Sequence, residues 1–169
     1  MKNSLKWVAV AGLVLGGALG MAGTFAAQAN VRNTLWAVDS VGLIVATVIL
    51  AIHFFRKGSD TVATGFLVYA LGESVMLGGT AATLEASVPA FAAGTALWAA
   101  GLLLTSLPGE FAMWTRLAGV AAGLLMAITS AEIFWGNAIT PLTHPLPFFA
   151  YPVLVLTFAG WLVRVIRES

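Results

Sequence analysis

The stretch LWAVDSVGLIVATVILAIHFF, residues 35–55, runs unbroken until Arg56-Lys57-Gly58-Ser59-Asp60 stops it. It matches the roughly 20 helical residues needed to cross a hydrocarbon core, and only Asp39 and His53 in it are ionisable. Five further runs of the same kind flank it, at about 5–27, 62–84, 88–107, 114–136 and 146–166. The breaks between them carry polar and helix-stopping residues: Gln28 to Asn33, Glu85-Ala86-Ser87 ahead of Pro89, Pro108-Gly109-Glu110, and Asn137 to Pro147 with its three prolines. None of the runs alternates with period two, which excludes a transmembrane barrel. Backbone N–H and C=O groups left unpaired in lipid are too costly, so each run has to be a helix.

Composition points the same way. Of the 169 residues 60% are apolar and 9% charged, with a mean hydropathy of +0.96, whereas soluble domains carry charge on about a quarter of their residues. The expected fold is therefore all-α: a polytopic transmembrane bundle of six helices, forming a single integral membrane domain over 1–169. Residues 1–29 also read as a signal peptide, with Lys2 and Lys6 before the apolar stretch and Ala27-Gln28-Ala29 as a small-x-small cleavage site. Cleavage there would leave five helices. The apolar run is longer than a usual signal core, so a retained first helix is the expectation.

Charge position sets the expected orientation. With the N-terminus inside, Lys2, Lys6, Arg56, Lys57, Arg116, Arg164 and Arg167 all fall on the cytoplasmic side and only Arg32 falls outside, the bias of the positive-inside rule. Both termini are then cytoplasmic, in a plasma membrane of the bacterial inner-membrane type. Trp7, Trp36, Trp114, Trp135 and Trp161 lie near the ends of the runs, where indoles favour the interface. Gly12, Gly16 and Gly20, and again Gly119 and Gly123, recur every four residues, a spacing that lets helix backbones approach closely.

Function classes narrow by exclusion. The eight Lys and Arg are scattered in ones and twos, so no nucleic-acid-binding face exists. The absence of cysteine removes disulfides, thiolate metal sites and thiol nucleophiles. There is no His-Glu-x-x-His, no Gly-x-Ser-x-Gly and no dinucleotide or Walker fingerprint, so no catalytic residue, metal ligand or cofactor is assigned. His53 and His144 fall at opposite ends of the expected bundle, which disfavours bis-histidine haem ligation.

The informative residues are ionisable groups inside the runs, where each costs about 2.5–3.5 kcal/mol on insertion scales unless a partner or a water-filled cavity receives it. Glu73 is about eleven residues into the third run, roughly 17 Å deep and near the midplane. Tyr69, Met76 and Thr80 share its helical face at i−4, i+3 and i+7. A carboxyl there is a candidate proton carrier or cation ligand. It serves equally well as a purely structural hydrogen-bonding group. Glu132, with Thr129 at i−3, lies near the outer end of the fifth run, and Asp39 about one turn inside the second. The expected ion or substrate pathway therefore comprises Glu73, Glu132, Asp39, Tyr69, Thr80 and Thr129, with His144 and Arg32 at an outer vestibule. Separate ion pairs, such as Arg32 with Asp39, are the plainer alternative.

Three functions follow from this reading. The first is a small transporter or channel for a proton, cation or small solute. The second is a non-catalytic subunit or assembly factor of a larger membrane complex, and the third a binder of lipid, quinone or haem. The expected partners are the lipid bilayer and either a second copy of the chain or other membrane subunits.

Overall fold

The computed structural model describes residues 1–167, and these form six helices: α1 (Asn3–Phe25), α2 (Ala29–Arg56), α3 (Asp60–Gly79), α4 (Val88–Ser106), α5 (Met113–Phe134) and α6 (Ala150–Arg167). All six are long and apolar enough to cross a membrane. Even the shortest, α6 with 18 residues, spans about 27 Å at 1.5 Å per residue.

Three boundaries differ from the sequence expectation, each for a local reason. The polar run Asn30 to Asn33 does not break the chain but opens α2, which begins six residues earlier than expected. Arg32 N–H donates to Gln28 O at 3.0 Å, Thr34 Oγ1 donates to Asn30 O at 2.8 Å, and the Arg32 guanidinium reaches back to Ala26 O at 3.4 Å. The polar run therefore forms the opening turns of a helix. Helix α3 ends at the Gly78-Gly79 pair, where the Thr80 hydroxyl caps Leu77 O at 2.8 Å. Helix α6 waits until Ala150, because the residues before it are taken up by turns that Pro141, Pro145 and Pro147 punctuate.

Each helix packs against its neighbours in sequence, and α1 also packs against α6, so among the described residues the six close into a ring. Glycines permit this packing. A Cβ on Gly12 of α1 would collide with Gly42 O and approach Ala46 Cβ at 2.8 Å, and a Cβ on Gly101 of α4 would meet Gly65 O and Tyr69 N of α3, each at 2.8 Å. In both seams bare backbone faces backbone, as close helix pairing requires.

The ring is apolar on its outer wall and partly polar within. Val14, Val41, Val45, Leu67, Leu71, Leu117, Leu124 and Leu156 are exposed, whereas Asp39, Ser40, Glu73, Thr95, Thr129 and Thr157 are buried. Most buried threonines satisfy their hydroxyls within their own helix, as Thr95 does by donating to Phe91 O at 2.8 Å and Thr157 to Val153 O at 3.2 Å.

The two ends of the ring differ. One end holds the start of α1, the end of α6 and the α2–α3 and α4–α5 connections, and is cross-tied. Lys6 Nζ donates to Ile166 O at 2.8 Å. Arg116 Nε donates to Ser106 O at 2.9 Å. Glu110 accepts the Ser59 hydroxyl at 2.5 Å, while its carbonyl accepts Arg164 Nε at 3.1 Å. Above these ties the interior is filled by aromatic rings. Phe66 meets Trp161 at 4.8 Å between centroids, and Phe54 contacts Phe66 at 5.6 Å and Phe111 at 5.5 Å. The opposite end, where the α1–α2, α3–α4 and α5–α6 connections lie, leads into a cavity.

Candidate functional site

The cavity is walled by α1, α2, α3, α4 and α6, with Ala82, Leu84 and Pro141 of the connections at its mouth. It offers about 100 Å³ of space open to the centres of water molecules, well above the roughly 10–15 Å³ that one water needs. Its floor is set by the side-chain register of three helices. On α3, Tyr69, Glu73, Met76 and Thr80 all turn inward, the face expected from their spacing of four, three and four residues. Helix α2 supplies Trp36, Asp39, Ser40 and Leu43. Helix α4 supplies Phe91 and, seven residues on, Trp98. Tyr151, Leu154, Val155 and Phe158 of α6 close the far wall, and glycines on α1 thin the near one. A Cβ on Gly20 would sit only 3.1 Å from Asp39 Oδ2, so that glycine makes room for the carboxylate.

Glu73 lies at the centre and is 2% exposed. Its Oε1 accepts the Ser40 hydroxyl at 2.7 Å, which ties α3 to α2. Among the described residues its Oε2 has no hydrogen-bond partner, and neither do Tyr69 Oη and Trp98 Nε1. The Trp98 indole stands near enough to act on the Glu73 carboxyl but outside hydrogen-bonding geometry. Tyr69 and Trp98 stack with centroids 5.5 Å apart and planes 4° from parallel, and Tyr69 meets Phe158 edge-on at 5.9 Å. Asp39, beside the Ser40 that holds Glu73, is 7% exposed and lines the same cavity. No Lys, Arg or His is among the described residues that line this cavity. A buried polar group without a partner costs about 1–3 kcal/mol, and three such atoms around one floor favour a polar or charged occupant.

Of the residues singled out from sequence, Glu73, Asp39, Tyr69 and Thr80 meet here. The other four do not line the cavity. Glu132 is exposed on α5 and accepts a hydrogen bond from Asn137 Nδ2. Thr129 is buried, with its hydroxyl donated to Leu125 O at 3.0 Å. His144 packs on Phe148 at 4.0 Å, in the α5–α6 connection. Arg32 caps the α1–α2 turn, 5.7 Å from the Trp36 ring. Helix α5 turns its polar positions away from the cavity, so Glu132 does not share a vestibule with Asp39.

Ser40, Trp98 and Tyr151 were not anticipated as site residues. Trp98 carried a usable signal: of the six tryptophans it alone falls in the middle of an apolar run, where an indole N–H has no interface to reach. Compared with known proteins, the chain matches no family model, no curated protein and no solved structure.

Proposed function

We propose that this chain is an integral membrane protein that moves a proton, a cation or a small solute, with Glu73 as the central group and Asp39 beside it on the approach. In this reading all six helices span the bilayer. The cross-tied, lysine- and arginine-rich end faces the cytoplasm of a plasma membrane of the bacterial inner-membrane type, and the cavity opens on the opposite side. The exposed apolar wall supports the spanning arrangement, because soluble proteins rarely expose apolar patches beyond a few hundred Å². The basic end supports the orientation.

The observation that carries the functional reading is the one-ended cavity: it descends from the mouth to two buried carboxyl groups, with no basic side chain lining it. Intramembrane carboxyls placed against such a space mark ion and proton routes. Below the floor, the layer of Phe54, Phe66, Phe111 and Trp161 separates Glu73 from the basic end. Transport across the protein requires that layer to part, as in a carrier that opens to one side at a time.

Reconstitution into liposomes tests this reading. The wild-type protein is expected to dissipate an imposed proton or cation gradient, and Glu73→Gln, which keeps the shape and removes the charge, to slow that flux by about tenfold or more. Wild-type flux no greater than that of empty liposomes, or full flux in Glu73→Gln, overturns it.

A further inference from the structure

We infer that the occupant of the cavity is a small organic ammonium ion, its charged nitrogen at Glu73 and Asp39 and its apolar body against the aromatic wall. This deepens the transport reading and rests on it.

Sign comes first. Two carboxyl groups with no lining Lys, Arg or His favour a cation over an anion or a zwitterion whose carboxylate would lack a partner. Coordination comes second. Hard inorganic cations take roughly six or more oxygen ligands at close range. Around this floor stand only two carboxyl groups, Glu73 and Asp39, with the hydroxyls of Ser40, Tyr69 and Tyr151, of which Ser40 is already committed to Glu73 Oε1, and among the described residues no three acidic or histidine side chains gather as a metal site would need. Most of the remaining wall is carbon. An ammonium group needs only a few acceptors, and Glu73 Oε2 and Tyr69 Oη are buried, without hydrogen-bond partners among the described residues and placed on the same floor.

The wall supplies the third argument. The stacked faces of Tyr69 and Trp98 stand beside the carboxyl, and Trp36, Phe91, Tyr151 and Phe158 surround the space above. Aromatic faces attract ammonium groups and receive the hydrocarbon attached to them. Trp98, Tyr69 and Glu73 are all buried, so a charge pair formed there is screened far less than one at the surface. The space of about 100 Å³ open to water centres limits the body to a short alkyl chain or one small ring.

The test uses the full-length protein, purified in detergent, with intrinsic tryptophan fluorescence and calorimetry as readouts. The probes are butylammonium and benzylammonium, their neutral counterparts butanol and benzyl alcohol, and sodium and potassium ions. Saturable binding of the two ammonium ions, about tenfold or more tighter than the matched alcohols, is expected in the wild type. That binding should weaken by about tenfold or more in Glu73→Gln and in Asp39→Asn. The comparison of ammonium with alcohol needs no variant, so it holds even where a substitution impairs folding. Equal binding of alcohol and ammonium overturns the assignment. So does the absence of ammonium binding in a protein that still shows Glu73-dependent proton or sodium flux, a result that leaves the transport reading intact. Neither binding nor Glu73-dependent flux overturns both.

Discussion

Gly101→Ala probes the seam that positions the cavity floor. A Cβ at this position would lie 2.8 Å from Gly65 O and Tyr69 N and 2.9 Å from Tyr69 Cβ. Ordinary contact begins near 3.4 Å, so the methyl group is 0.6 Å short of space. Two of the three atoms are backbone inside α3, and no flexible side-chain tip can swing away. Relief requires α3 and α4 to separate locally, and overpacking of this kind costs about 1–3 kcal/mol. The gain in helix propensity on replacing glycine, about 1 kcal/mol, offsets part of that cost. A net destabilisation of up to about 2 kcal/mol is expected, against a gain of up to about 1 kcal/mol where the methyl meets no obstacle. Gly78→Ala is the control: it lies in α3, the other helix of the seam, and nothing stands within 4 Å of its added Cβ, so the propensity gain appears alone and the variant is at least as stable as wild type. Because Tyr69 is one of the crowded residues, Gly101→Ala should also weaken butylammonium binding. Unfolding in mixed micelles of rising SDS content, followed by tryptophan fluorescence, measures both variants. A Gly101→Ala protein as stable as Gly78→Ala would refute the backbone-to-backbone argument for this seam.

Two more predictions separate the cavity from its surroundings and fix its direction. Glu132→Gln and Thr129→Val should leave flux and ammonium binding within about twofold of wild type, since one is exposed and the other donates its hydroxyl inside its own helix; a tenfold loss in either would place α5 in the pathway after all. The cysteine-free chain allows a clean topology measurement: Glu85→Cys, in the α3–α4 connection, should react with an impermeant maleimide on intact cells, and Gly109→Cys, in the α4–α5 connection, only after permeabilisation. The reverse pattern refutes the orientation, and equal labelling on intact cells refutes a membrane-spanning α4.

The six helices were legible in the sequence because lipid-length apolar runs are a one-dimensional signal. The inward face of α3 was legible too, since Tyr69, Glu73, Met76 and Thr80 are placed together by helix geometry alone. What Glu73 meets was not. Ser40 lies 33 residues away on another helix, and a helix that is apolar nearly all round carries little pattern to say which side faces in. The same difficulty governs Glu132, which has the composition of a buried site residue but sits on a side of α5 turned out of the cavity. The seam between α3 and α4 was also hidden, because its glycines recur at seven residues (Gly65 and Gly72, Gly94 and Gly101) and not at the four-residue spacing that drew attention to α1 and α5. Asn30 to Asn33 misled for a different reason: polar residues that elsewhere mark a break here lie within the opening turns of a helix.

The closed order of the helices has a consequence for biogenesis. Among the described residues, close backbone packing joins helices that are neighbours in sequence, α1 and α6 being the one other pair, so a chain emerging from the ribosome can add each helix to the one before it, until the sixth meets the first. The acidic residues belong to the second and third helices made, whereas the rings of Tyr151 and Phe158 that shelter them arrive with the last. During synthesis the two carboxyls therefore wait without their shelter, and the Ser40 hydroxyl, already present on α2, is the partner available to Glu73 in the interval.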